Sequence, residues 1–226
     1  MPLISVANLT KTYVNDGVET PALRDVSFTI AAGEFVAITG PSGCGKSTLL
    51  HLLGFLDAPT SGTYRFDGRA SADYSPQELA AVRNQKMGFV FQAFNLLSRA
   101  SVYHNVRLPL LYSRVPEGEW DGRVRAAVDA VGLAHRTGHL AARLSGGEKQ
   151  RTAIARALVV DPAVIFADEP TGNLDSASGR AIMQTITGLN QRGHTVVLIT
   201  HDPTVAQQAS RVIRMRDGKI EEDRMT

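Results

Sequence analysis

Gly40-Pro41-Ser42-Gly43-Cys44-Gly45-Lys46-Ser47, followed by Thr48, fits the phosphate-cradling pattern G-x-x-x-x-G-K-[ST]. The chemistry it offers is anion capture. Glycines let successive backbone N–H groups turn inward around phosphate oxygens, and a helix beginning near Lys46 adds the positive end of its dipole. The Lys46 ammonium would reach the β- and γ-phosphates of a nucleotide, and the Ser47 hydroxyl would ligate Mg²⁺. A second reactive stretch is Asp168-Glu169-Pro170, at the end of the apolar run Ala163–Ala167. Carboxylates at the end of a buried strand are costly without a task or a partner. Beside a phosphate loop, Asp168 would hold Mg²⁺ through water, and Glu169 could orient and deprotonate an attacking water. His201 follows another apolar run, Thr195–Thr200. There it would face the crevice beyond the strand ends and could hydrogen-bond the γ-phosphate. Ser145-Gly146-Gly147 opens a helical stretch, as an ordinary N-cap or as a further anion site. Tyr13 is either a π-stacking platform for adenine or plain packing.

These groups need a frame. Phe35–Thr39 and Leu49–Leu53 supply the strand and helix on either side of the glycine-rich loop. Ala163–Ala167 and Thr195–Thr200 are near-continuous apolar runs of strand length, as in buried parallel strands. Ile4–Ala7 and Val26–Ile30 alternate instead, which predicts a small antiparallel sheet beside a parallel core. Thr63–Phe66 before Asp67-Gly68, and Arg211–Arg216 before Asp217-Gly218, read as hairpins. Ser75-Pro76-Gln77-Glu78 has the spacing of a capping box and opens a helix through about Lys86. Met87–Phe91 then forms a short strand that ends at Gln92.

From Ala93 to about Val159 the period becomes helical. Val102, Val106 and Leu110 predict one short helix stopped by Pro109. Val124, Ala127, Val128 and Val131 predict an amphipathic helix ended by Gly132, and a long helix follows over Lys149–Leu158. Arg143, Lys149, Arg151 and Arg156 read as a solvated face. Gly172–Asp175 is a turn into a helix over Ser176–Leu189. The expected fold class is α/β, in one domain over residues 1–226. Residues 1–92 and 160–226 form the core with its β subdomain, and residues 93–159 form an inserted helical subdomain.

Composition narrows the function classes. The 226 residues are 43% hydrophobic and 20% charged, ordinary values for a globular domain. A net charge of +2 is too small to argue for a nucleic-acid partner, and none is expected. The single cysteine, Cys44, permits no intrachain disulfide and suggests a reducing compartment. Inside the loop it reads as a small residue at a tolerant position rather than a redox switch. Met1-Pro2-Leu3-Ile4 shows no signal peptide, and no run reaches the ~18–20 apolar residues of a membrane span. Any membrane role would come by docking onto another chain. The histidines carry no metal pattern; Gly138 argues against a helix that would pair His135 with His139.

With these stretches placed, essentially the whole chain resembles the ATP-binding subunit of ABC transporters. In that family's terms Tyr13 lies in the aromatic loop, Gly40–Ser47 is Walker A, Gln92 opens the glutamine loop and Leu144–Glu148 is the signature. Val164–Asp168 is Walker B with Glu169 after it, Asn173–Asp175 is the D-loop and His201 is the switch histidine. Many NTPases share a phosphate loop; the signature with the switch histidine is what points to this family. The resemblance implies a P-loop NTPase (RecA-like) core and an ATPase that uses ATP and Mg²⁺. It implies that Gln92 joins Ser47 and Asp168 at the metal, and that Ser145, Gly146 and Gly147 cover a nucleotide held by a second copy of the chain. It also implies an integral-membrane permease as partner, with this chain peripheral on the cytoplasmic face of the membrane.

Phe91–Leu97, Leu108-Pro109-Leu110 and Ala167–Asp175 resemble the branch of macrolide exporters and lipoprotein-releasing systems. The chain stops soon after Lys219-Ile220, with no residues for the regulatory domain of several importer subunits. Either a free-standing subunit or part of a fused transporter is expected. The alternative is an ATPase that gates a membrane protein in cell-wall or signalling control. A DNA-repair or translation ATPase would need paired domains or long coiled-coil insertions.

Overall fold

A computed structural model describes residues 1–226, apart from the side chain of Asn15. In chain order it forms β1 (Ile4–Asn15), β2 (Val18–Ile30), β3 (Phe35–Thr39), α1 (Lys46–Leu53), β4 (Ser61–Phe66), β5 (Arg69–Ala70) and α2 (Pro76–Lys86). These are followed by β6 (Met87–Phe91), α3 (Val102–Arg107), α4 (Trp120–Ala130), α5 (Gly146–Leu158), β7 (Val164–Asp168) and α6 (Ser176–Gln191). The chain closes with β8 (Thr195–Ile199), α7 (Pro203–Ala206), β9 (Arg211–Arg216) and β10 (Lys219–Met225). Two compact units result, Met1–Ala80 with Thr195–Thr226, and Ala81–His194.

The first unit holds two kinds of sheet, as the change in periodicity predicts. β1 pairs antiparallel with β2 and with β4, and β5 extends that sheet beyond β4. Both long strands outrun the alternating stretches that announced them, because Asp16-Gly17 closes them as a hairpin with φ of 51° and 79°. β3 lies between β8 and β9 and runs parallel to both. Val36, Ala37, Ile38, Val196, Val197 and Leu198 have no exposed surface, which is why these strands read as unbroken apolar runs. β10 is antiparallel to β9 and mostly exposed. Its charges pair with β9, Arg211 with Asp223 and Arg214 with Glu221, which blunts the strand as a template for aggregation. On α1, Leu49, Leu50, Leu52 and Leu53 are all buried; each contributes about 1.5–3 kcal/mol relative to exposure.

In the second unit β6 and β7 are parallel, in register from Met87↔Val164 to Phe91↔Asp168. α5 packs against β6, α3, α4 and α6. Two expectations change here. The helix expected to reach Leu110 ends at Arg107, and the chain continues as a 3-10 turn over Leu108–Tyr112. Pro109 sits in the first turn of that segment, where its missing N–H is not needed, so it redirects the helical path instead of stopping it. Arg156 is not part of a solvated face. Its guanidinium donates to the carbonyls of Asn95 and Phe94, residues with φ of 51° and 58°, and burial lowers its pKa. Asn105, fully buried, staples the neighbouring loop by donating to the Leu97 and Ser101 carbonyls and accepting the Leu97 N–H.

Candidate functional site

The phosphate loop lies between β3 and α1. At Gly40, φ is 148° and a Cβ would stand 2.2 Å from the Met215 carbonyl oxygen. At Gly45, the left-handed N-cap of α1, φ is 101° and a Cβ would stand 2.5 Å from the Ala22 oxygen. No side chain fits at either position without moving backbone, so the pattern's glycines are steric requirements here. The loop is braced from behind by the β9–β10 turn: Gly218 N–H donates to the Cys44 carbonyl, and Arg24 N–H donates to the Gly218 carbonyl. Cys44 is buried, filling space under the loop. Pro41, Ser42, Gly43 and Ser47 are exposed, and Thr48 is half-buried.

Lys46 is 8% exposed. Its Nζ donates to the carbonyls of Gly40 and Pro41, both at 2.8 Å, and lies 3.8 Å from Cys44 Sγ. These partners are neutral, so they orient the ammonium without cancelling its charge. A buried cation held this way favours an incoming anion.

The same unit positions Tyr13 and His201. β8 runs parallel beside β3, and Thr200 N–H donates to the Ile38 carbonyl. His201 therefore leaves its strand at the same sheet end at which the phosphate loop leaves β3. Asp202 caps α7 directly after it by accepting the Thr204 N–H. Tyr13 stands opposite Thr20 on β2, two residues before Ala22, whose carbonyl abuts Gly45. Its hydroxyl donates to Asp57 Oδ2 at 3.1 Å, and Lys11 Nζ lies 4.8 Å from the ring centroid while bonding Asp57 Oδ1 at 2.7 Å. Burial pushes the Asp57 pKa up, but hydrogen bonds from Lys11, the Ala58 N–H and Tyr13 outweigh it and hold the carboxyl below its ordinary range. The ring is thus pinned by its hydroxyl.

The second unit gathers the other candidates. Phe91 and Asp168 end β6 and β7 in register, so Gln92 and Glu169 follow side by side in the ladder's direction. Glu169 has φ of 44°, rare for a residue with a side chain and frequent where strain serves a site. Its carbonyl accepts the Gly172 N–H at 3.0 Å. Gln92 and Asn173 form a reciprocal amide pair: Asn173 Nδ2 donates to the Gln92 carbonyl at 2.9 Å, and Gln92 Nε2 to Asn173 Oδ1 at 3.3 Å. A Cβ at Gly172 would sit 2.8 Å from Gln92 Nε2, so a side chain there would displace the Gln92 amide from Asn173.

Ser145 caps α5 in a complete capping box: its Oγ accepts the Glu148 N–H, and the Glu148 carboxylate accepts the Ser145 N–H. The Ser145 backbone bond, with Arg136 at 2.8 Å adding to it, holds the Glu148 carboxyl below its usual range. The N-cap reading is therefore correct; Gly146, half-buried, and Gly147, buried, form the first turn that the box closes. A Cβ at Gly147 would stand 3.2 Å from Ser178 Oγ, and one at Gly146 3.1 Å from Leu174 Cδ2, so both positions are tight. Asp175 caps α6 through Ala177 and Ser178, and the Ser178 backbone bond lowers its pKa. Gln92, Asp168, Glu169, the 173–175 turn and the start of α5 are brought together in one unit.

Sequence reasoning missed Gln150. It is fully buried on α5, and its Nε2 donates to the Pro170 carbonyl at 2.8 Å and to the Phe91 carbonyl at 3.4 Å. A signal existed: Gln150 shares the helical stripe of the buried Ala153, Ile154 and Ala157, where a lone polar residue implies a buried partner.

Comparison with known proteins agrees with this geometry. Residues 23–172 match the family model described as ABC transporter. The chain is 49% identical over 221 residues to the macrolide export ATP-binding/permease protein MacB of Bdellovibrio bacteriovorus, covering 98% of this chain and 34% of that protein. It is 49% identical over 219 residues to the uncharacterized ABC transporter ATP-binding protein YknY of Bacillus subtilis, covering 96% of this chain and 95% of that one. The chain thus spans about a third of the length of the MacB relatives it matches. A solved dimer described as a post-hydrolysis state of the ATP-binding cassette MJ0796, bound to ADP and Pi, is 41% identical with a TM-score of 0.89 and 98% of both chains covered. From the braced glycine loop, the capped signature helix and these matches, the chain belongs to the ABC transporter family as one of its ATP-binding cassettes.

Proposed function

We propose that this cassette hydrolyses ATP to drive an integral-membrane permease, as an export or lipoprotein-release type system, through ATP-dependent closure of two copies. The observation that carries the reading is Lys46: a nearly buried ammonium, aimed by two loop carbonyls, in a loop whose Pro41, Ser42 and Gly43 are exposed. The reaction is phosphoryl transfer to water, which needs positioning and charge stabilisation more than covalent chemistry.

Lys46 and the N–H groups of the Gly40–Thr48 loop, Pro41 excepted, hold the phosphates, and the Tyr13 ring stacks on adenine. Ser47, Gln92 and Asp168 offer a hydroxyl, an amide and a carboxylate, hard oxygen donors that fit Mg²⁺. When bound, Mg²⁺ supplies neutralisation of phosphate charge. Glu169 orients and deprotonates water, and His201 contacts the γ-phosphate. Ser145, Gly146 and Gly147 cover the nucleotide of the second copy, so each site is complete only in a dimer. Two-fold closure then gives ATP the differential binding a switch requires. Residues 93–159 form the helical lobe that passes this motion to the permease. Among the described residues no helix is long and apolar enough to cross a membrane; the peripheral place proposed at the cytoplasmic membrane face follows from the permease partner. The dimeric cassette at 41% identity and the permease-fused relatives support both partners.

Glu169→Gln separates binding from chemistry. Its ATP affinity stays near wild type while turnover falls about 10²–10⁴-fold, the range for losing a general base. Lys46→Ala loses ATP binding itself. Calorimetry and phosphate release read the two effects; wild-type turnover in Glu169→Gln removes that residue from its role.

A further inference from the structure

We infer that Gln150 is a positioning residue for hydrolysis, fixing the backbone beside both Gln92 and Glu169. The inference rests on the roles proposed above for those two residues. Gln150 makes no use of its own oxygen: Oε1 is buried and has no hydrogen-bond partner among the described residues. A buried orphan acceptor is a cost that an apolar residue of the same shape would avoid. The side chain must therefore be valued for its NH₂ group. That group donates to the Pro170 carbonyl, one residue after Glu169, and to the Phe91 carbonyl, one residue before Gln92.

The placement is specific. Phe91 and Asp168 are a register pair at the ends of β6 and β7, so one amide spans the two strand ends from which both groups emerge. Beyond that point neither segment has regular structure to hold it. Glu169 already sits at φ 44°, a conformation that persists only if its surroundings impose it. Gln150 also lies within the first turns of α5, whose N-cap is Ser145. One rigid helix thus carries both the signature and the clamp on the hydrolytic residues, and a shift of α5 would move them together.

Two substitutions test this, with Glu169→Gln as control. Gln150→Leu keeps the bulk and removes the donors. Gln150→Glu keeps the shape and donates only when protonated, and burial beside two carbonyl oxygens favours the protonated acid. Nucleotide-binding stoichiometry and the KM for ATP stay near wild type in both, while kcat at pH 8 falls about 10- to 100-fold, as for a small misplacement of reacting groups. As pH drops toward 6, Gln150→Glu recovers several-fold relative to wild type at the same pH, and Gln150→Leu does not. Dividing by wild type removes the contribution of Asp168 and Glu169, which flank the two carbonyls in every variant. Wild-type kcat in Gln150→Leu overturns the inference. So does an equal, pH-independent loss in both variants that follows their melting temperatures, since that marks a packing role. Should Gln150→Leu fail to fold, the pH response of Gln150→Glu decides alone. An active Glu169→Gln control instead indicts the hydrolytic reading, whereas an inactive control beside an active Gln150→Leu indicts only the clamp.

Discussion

At the scale of single residues, the chain separates groups that meet a ligand from groups that aim them. Lys46 is aimed by backbone carbonyls and Tyr13 by Asp57, from the loop after α1, which is itself paired with Lys11 on Tyr13's own strand. The groups proposed to meet the ligand can be named from the sequence, because each lies in a contiguous, chemically distinctive stretch. The aiming groups were not. Gln150, Arg156 and Asn105 bond to carbonyls, which every residue carries, so no residue type marks their partners. The choice left open at Tyr13, stacking platform or plain packing, becomes testable through its hydroxyl. Tyr13→Phe loses the bond to Asp57 but keeps the π-face, so ATP affinity changes by no more than a few-fold. Tyr13→Ala removes a stacking interaction of about 1–3 kcal/mol and weakens ATP about 5- to 150-fold by calorimetry. Equal losses in the two variants would mean that the hydroxyl, not the ring, is what matters.

At the scale of elements, strands were easiest to read where both faces are buried, as in β3, β7 and β8, and hardest where a turn extended them, as at Asp16-Gly17. Helix starts were legible through their caps. The capping box expected at Ser75–Glu78 closes, and the N-cap at Ser145 belongs to a second box with Glu148. The first carries a pH signature. Arg69, followed by the Ser75 bonds, lowers the Glu78 pKa from its ordinary 4.5 to about 2. A carboxyl depressed in the folded state binds fewer protons there than when unfolded. Its contribution is therefore complete above about pH 5 and is lost as pH falls from 4.5 toward 2. The melting-temperature gap between wild type and Glu78→Gln should be constant near neutrality and should close over that acid window. A gap unchanged at pH 2.5 would show that the carboxylate's charge is not what α2 uses.

At the scale of the whole molecule, the change of period at Ala93 correctly announced a helical segment, and the two-sheet architecture of the first unit followed from strand patterning. What patterning leaves open is why one chain carries two stretches of the anion-site type, Gly40–Ser47 in one compact unit and Ser145–Gly147 in the other. The proposed pairing of two copies would answer this: each nucleotide would be held by the loop of one chain and covered by the signature of its partner. The account therefore stands on ATP acting as the adhesive between chains. Light scattering on Glu169→Gln protein with saturating ATP tests this most directly, because the nucleotide binds and is not consumed. The account predicts a particle of twice the monomer mass with ATP and a monomer with ADP; a monomer in both, with ATP binding confirmed in the same sample, contradicts it.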